Sequence, residues 1–396
     1  MIVSKIFDVI NSFSNSSEVR YVGGCVRKAI KKEKIEDIDL ATNLEPTEVC
    51  EVLKKYEINF YESGIEHGTI TALIDDYKFE ITSLREDILT DGRFAQVKFS
   101  QDWKKDASRR DFTINAIYSD GEGNLFDPYN GREDLKKGEI KFIGNPEKRI
   151  QEDYLRILRY LRFFLSYSKK NHNIEIIKSI KKHLIGTSKL SKERLLDELK
   201  KILKPKILTK LSKDKLSLEI LEAIFPQLKY FKIFSNLNSH TKDIIHELDF
   251  IIIISLLVID ETDNSDYFLY KFNIPKIDEK RLRNISEFYK EKITIKTFSE
   301  KNMNKILYYK GKETLIDILI FRMFKSKRID DHIIESIKKF RKKHIPVLPI
   351  KAEFLMSKFN IPEGKILGEK LRLIENQWVS NNFHISEQQV ENIIYN

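Results

Sequence analysis

The chain has 396 residues, 41% of them hydrophobic, with a formal net charge of +10 and a pI of about 9.1. It is too long for one ordinary core and too apolar for a disordered chain, so two to four globular domains are expected. The basic excess favours a polyanionic partner over an acidic protein substrate. Its two cysteines, Cys25 and Cys50, form neither a disulfide framework nor a C-x-x-C pair, which points to a reducing, cytoplasmic setting.

In chain order, "MIVSKIFDVINSF" lacks a basic start, a long apolar stretch and a small-residue cleavage site, so no targeting peptide is expected. Up to about residue 143 short β-rich runs alternate with helical ones. "VRYVGG", "DIDLAT", "HGTITALI", "YKFEITSLR", "QVKFS" and "IKFIG" read as strands, and Pro46 to Tyr56 as a helix. Gly23-Gly24 closes the first strand and opens a helix bearing Arg27. Bare amides, a helix start and a guanidinium could there meet a triphosphate, with a simple tight turn as the alternative. The G-x-G-x-x-G dinucleotide pattern is absent.

Asp37 and Asp39 flank Ile38 in "DIDLAT". On a strand, side chains two apart share a face, so the carboxylates would repel unless a cation lay between them, and hard oxygen donors suit Mg²⁺ better than zinc. Two acids in water at a strand end are the alternative. Glu80 in "YKFEITSLR" could add a third carboxylate or face solvent. "RRDFTINAIYSD" reads as a helix headed by Arg109 and Arg110, a phosphate or base contact or an exposed basic pair. "FDPYNGREDL" reads as a structural turn.

From residue 150 the period becomes helical, and Gly186 is the only glycine between 145 and 310. The stretch 151–164, "QEDYLRILRYLRFF", predicts one helix. Leu155, Leu158, Leu161 and Leu165 form its apolar stripe, while Asp153, Arg156, Arg159 and Arg162 recur every three residues on an adjacent ridge. Only 18 of the chain's basic residues are Arg and 12 of those precede residue 200, so three on one ridge carry weight. An Asp accepts from an amine and an Arg donates to ring acceptors. The pair matches the Watson–Crick edges of cytosine and adenine and refuses uracil and guanine. "SKERLLDELKKIL" predicts a Ser-capped helix whose Arg194 could tie it to that ridge. "FIIIISLLVI", at 250–259, is half the length of a membrane span and reads as a buried helix. No histidine stands in a zinc or Cys/His nucleophile pattern.

In order and spacing, "YVGGCVR", "DIDLAT", "HGTIT", "FEITSLR", "DGR", "RRDFTINA", "DPYNG", "EDYLRILRYLRF" and "SKERLLDEL" resemble the class II tRNA nucleotidyltransferase and poly(A) polymerase family of the DNA polymerase β superfamily. The resemblance covers about 21–203. It implies an α+β nucleotidyltransferase head with a mixed sheet (1–143), then an all-helical neck (144–205), body (206–275) and tRNA-binding tail (276–396). The activity implied is template-free addition of CTP and ATP to the tRNA 3′ end to complete or repair C-C-A.

By the same resemblance Asp37 and Asp39 hold Mg²⁺. Gly24, Arg27 and Arg110 hold the triphosphate, and Asp153 and Arg156 form the protein template supported by Arg159 and Arg162. "REDILTDGR", 85–93, matches the flexible loop used in the switch from C to A. A poly(A) polymerase of the same family and a catalytically inactive RNA-binding relative are the rival readings.

Overall fold

Alternating burial builds the first part of the molecule. In Thr69–Ile74 the buried side chains are Ile70, Ala72 and Ile74, and in Tyr77–Ser83 they are Phe79, Ile81 and Ser83. That period of two sends successive side chains to opposite faces of a sheet. The computed structural model describes residues 2–91, 94–291, 298–326 and 330–395.

The strands are β1 (Val19–Val22), β2 (Asp39–Thr42), β3 (Asn59–Gly64), β4 (Thr69–Ile74), β5 (Tyr77–Ser83), β6 (Arg85–Asp91), β7 (Phe94–Phe99), β8 (Tyr118–Ser119) and β9 (Leu125–Phe126). One seven-stranded sheet runs β3-β4-β5-β2-β1-β8-β9, and every pair in it is antiparallel except β2 with β5, which places Asp39 opposite Glu80. Helices α1 (Ile2–Asn11) and α3 (Pro46–Lys55) bury Ile6, Ile10, Val49 and Leu53 against Leu40, Ile70 and Ile81. Each such side chain contributes roughly 1.5–3 kcal/mol. Ala41, the neighbour of Leu40, belongs instead to a second cluster with Val22, Ala107, Ala116 and Tyr118, as adjacent strand residues must.

Three stretches differ from the sequence reading. The segment 85–93 is a strand as far as Asp91, paired with β7 in a separate hairpin, while Gly92 and Arg93 lie outside the described residues. "RRDFTINAIYSD" is not a helix: α4, the helix Trp103–Arg109 that follows α2 (Gly24–Ile30) and α3, ends at Arg110, which is extended. A 3₁₀ turn over Thr113–Asn115 and strand β8 follow. The Asp111 carboxylate takes the Phe112 amide at 2.9 Å and the Asn115 amide at 2.8 Å, side-chain bonds that compete with helical ones.

The long template helix is also broken. After α5 (Gly131–Lys137) come α6 (Pro146–Glu152) and α7 (Leu155–Tyr167), then α8 (Ile174–His183) and α9 (Lys192–Ile202). Asp153 is extended (φ −153°, ψ 106°) and accepts the Leu155 amide at 3.1 Å, the way an acid takes up a helix-start N–H. The stripe of Leu155, Leu158, Leu161 and Leu165 is buried.

The chain divides into two compact units, Met1–Ile202 with Leu216–Ile224, and Leu203–Lys215 with Phe225–Asn396. Every described element of the second is helical. Ile251 to Val258 are buried in the helix Phe250–Val258, and Leu355, Leu367, Ile374 and Val390 form a C-terminal core. No described helix is long and apolar enough to cross a membrane.

Candidate active site

Gly23 has φ +68°, a conformation side chains resist, and it turns the end of β1 into α2. The Asp39 carboxylate lies against Gly24, its Oδ2 3.6 Å from where a Gly24 Cβ would stand, and the Gly24 amide favours its charged form. Burial raises the pKa of Asp39; Arg110 opposes the rise and Asp37 adds to it.

Asp37 is exposed and precedes β2, so it does not occupy a strand position beside Asp39 as the sequence suggested. Pairing of β2 begins at Asp39 with Glu80 and at Leu40 with Tyr21, and nothing holds Asp37 extended. Glu80 lies opposite Asp39 in register but is exposed. Among the described residues no three His, Cys, Asp or Glu side chains gather in a group able to hold a metal, so the structure does not assemble Asp37, Asp39 and Glu80 into one. Asp37 and Asp39 alone remain a fit for a divalent cation: both offer hard oxygen, and a cation would offset the cost to the charged form of Asp39 that burial chiefly, and Asp37 in part, imposes.

The arginines are set from beneath. Asp106, 1% exposed, accepts from Arg109 Nε at 2.8 Å, Arg110 Nη2 at 3.0 Å and the Tyr118 hydroxyl at 2.6 Å. Burial alone would raise its pKa, but Arg110, Arg109 and the hydroxyl outweigh burial and hold the group well below the usual carboxylate range. Arg110 keeps Nη1 free of that hub, 3.9 Å from the Cβ position of Gly23. Arg27 is buried, with Nη1 bonded to Asn115 and its guanidinium 4.9 Å from the Phe163 ring centroid. It has no ion pair among the described residues, so its charge is left for a ligand.

On the far side, the Arg156 amide donates to the Asp153 carbonyl at 3.0 Å, but among the described residues their side chains are not bonded to each other. Asp153 accepts from Arg194 at 2.7 Å, and Arg156 donates to Glu152 at 2.6 Å and to the Arg149 carbonyl at 2.7 Å. Arg159 bonds Asp111 at 2.6 Å, and Arg162 bonds the buried Glu198 and stacks 4.1 Å from Phe163.

These groups line one cavity of about 530 Å³. Gly23, Gly24 and Asp39 are joined there by Arg27, Arg85, Arg109, Arg110, Arg156, Arg159, Arg162 and Arg194, with Asp111, Asp153 and Phe163 among them. Asp37 and Glu80 are not in its lining. Eight guanidiniums against three carboxylates make a polyanion cradle with an acid at one side. Sequence reasoning missed Asp106, Asp111, Asn115 and Glu198, which act by holding arginines. The one signal available for two of them was their place in "RRDFTINA".

A poly A polymerase head domain model matches residues 19–141. The chain is 47% identical over 189 residues to the human mitochondrial protein named CCA tRNA nucleotidyltransferase 1, covering 47% of this chain and 44% of that one. The match thus spans less than half the length of that relative. To the CCA-adding enzyme of Staphylococcus haemolyticus it is 30% identical over 338 residues, 80% of each chain. The crystal structure of the Bacillus stearothermophilus CCA-adding enzyme in complex with CTP shares the fold, with TM-score 0.72 at 21% identity over 96% of this chain and 93% of that one.

Proposed function

The chain belongs to the family of CCA-adding enzymes, and on that premise we propose that it completes the 3′ end of tRNA, transferring CMP and AMP from CTP and ATP with release of pyrophosphate. The observation that carries the reading is the cavity, whose lining joins Asp39 and the Gly23-Gly24 turn, the guanidiniums of Arg27 and Arg110, and Asp153 with Arg156.

In this reading the Gly24 amide region, Arg27 and Arg110 bind the triphosphate. Asp37 and Asp39 hold a divalent cation, Mg²⁺ by the oxygen-only donor set, with Glu80 the nearest further acid in register. Such an ion, when bound, supplies positive charge that lowers the pKa of the 3′-hydroxyl and offsets charge on the phosphates. The 3′ oxygen forms its bond to the α-phosphorus as the α–β anhydride bond breaks, and Arg27 and Arg110 meet the charge leaving with pyrophosphate.

Asp153 accepts from the exocyclic amine of cytosine or adenine while Arg156 donates to the ring acceptor beside it. Arg159 and Arg162 brace that helix through Asp111 and Glu198. We assign head, neck, body and tail to 1–143, 144–205, 206–275 and 276–396. The Lys-rich helices of the second unit would grip the RNA backbone by charge, with little sequence reading. The two free cysteines favour a reducing, cytoplasmic setting.

Equilibrium binding of the four nucleoside triphosphates to the full chain with Mg²⁺ tests this reading. CTP and ATP are expected to bind about 10- to 100-fold more tightly than UTP and GTP, the worth of one matched base edge. Equal affinity for all four would remove the template role of Asp153 and Arg156. ATP alone would move the protein to the poly(A) reading.

A further inference from the structure

Resting on that nucleotide-binding reading, we propose that Asn115 is a positioning residue whose single amide sets both ends of the cleft, the guanidinium that meets the triphosphate and the one that braces the base-reading helix. Asn115 ends the 3₁₀ turn Thr113–Asn115 and is 7% exposed. Its Oδ1 accepts from Arg27 Nη1, and its Nδ2 donates to Asp111 Oδ1 at 2.8 Å. The other Asp111 oxygen takes Arg159 Nε at 2.6 Å. A continuous path therefore runs from Arg27 on α2, through Asn115 and Asp111, to Arg159 on α7.

The neighbours fix the polarity of that amide. Turned over, it would point N–H groups at a guanidinium and an oxygen at a carboxylate, repulsive at both ends in a buried site. For Arg27 the bond is the directed anchor. Among the described residues it is the only hydrogen bond that guanidinium makes to another side chain; a longer one reaches the Gly23 carbonyl at 3.4 Å, its Nε is buried without a partner, and its contacts with the Phe163 and Tyr167 rings are less directional. At the other end, burial opposes the charge of Arg159 while Asp111, Glu198 and, more weakly, Asp153 favour it, and Arg159 and Asp153 line the same cavity.

The seat of the amide is rigid. A Cβ on Gly131 would fall 2.1 Å from the Thr113 carbonyl oxygen, so α5 packs directly on the turn, and the Thr113 hydroxyl donates to the buried Asp134 at 2.8 Å. With the amide gone, Arg27 keeps only its Gly23 carbonyl contact and its ring stacking, and the Asp111 carboxylate that holds Arg159 is left with the Phe112 amide as its other support.

Two variants separate positioning from a general role in folding. N115A removes both bonds; N115D, of the same shape, keeps an acceptor for Arg27 and puts a second carboxylate oxygen against Asp111. Binding of inorganic tripolyphosphate reads the Arg27 end, and the ratio of CTP to UTP affinity reads the template end.

N115A is expected to weaken tripolyphosphate about 10-fold and to cut the CTP preference about 10-fold, the worth of a hydrogen bond to a charged group. N115D is expected to lose the preference and to weaken tripolyphosphate at least as much, because its carboxylate neutralises the Arg27 charge that meets the anion. Unchanged binding in N115A, or parallel losses in both variants with the CTP preference intact, would overturn the inference. A wild type that does not prefer CTP to UTP would overturn the functional reading itself, and this inference with it.

Discussion

Asp153 Oδ2 lies 2.7 Å from Nη2 of Arg194, a residue 41 positions later on α9, and its other oxygen takes the Leu155 amide at 3.1 Å. The carboxylate is thus held from two sides at the break between α6 and α7, where it lines the cavity. A template group must be fixed to discriminate, since a mobile acid adapts to whichever base edge arrives.

Replacing Arg194 should therefore relax selection. R194A is expected to lower the preference for CTP and ATP over UTP and GTP by about 10-fold, with R194K recovering part of it because one point donor can still reach Asp153. Misincorporation kinetics with single nucleotides check this, and an unchanged preference would detach Arg194 from the template.

Asp39 separates chemistry from binding. D39N keeps the size of the side chain and removes its charge, so incorporation is expected to fall about 1,000-fold or more while CTP affinity measured without a divalent cation stays within about 3-fold. A comparable loss in both quantities would make Asp39 part of the binding surface alone.

Asp111 gives a pH signature. Burial pushes its carboxyl up, but Arg159 and the Asn115 and Phe112 amides lower it further, to well below the usual range. A depressed folded pKa stabilises above the unfolded value, about 3.9, and that stability is lost as pH falls from there through the folded value. D111N, which leaves the half-buried Arg159 without its bonded counter-charge, is expected to cost about 1–3 kcal/mol at pH 7. The gap should narrow as pH falls below about 4. Denaturant melts at pH 7 and pH 3 decide it, and a gap independent of pH would mean that folding does not shift the Asp111 carboxyl.

Gly131 tests the seat of the turn. G131A places a Cβ 2.1 Å from a backbone oxygen that cannot swing aside, so α5 or the turn must shift. A loss of roughly 1–3 kcal/mol is expected, together with weaker CTP binding, read by thermal melts and titration. Neutral G131A would show that the two elements separate freely.

Much of this site was legible as residue types at spacings. The Gly pair, Asp39, Arg110 and the arginines of α7 stand out in the sequence and do meet in one cavity. The geometry between them was not legible. A period of three runs unbroken through 153–162, yet Asp153 takes up a helix-start amide and leaves the helix, so the ridge begins at Arg156. Asp37 and Asp39 look equivalent in "DIDLAT", but ladder pairing starts at Asp39, a fact set by β1 and β5. Asp106 and Glu198 read as ordinary helix acids, and only tertiary packing buries them beneath Arg110 and Arg162.

The most direct test of the central claim is product length at single-nucleotide resolution. The full chain is incubated with Mg²⁺ and a tRNA ending at its discriminator base, first with each nucleoside triphosphate alone and then with CTP and ATP together. Growth by three nucleotides that requires both CTP and ATP, then stops, is the expected result. Long A tracts on unrelated RNAs, or tight tRNA binding with no incorporation, would contradict it.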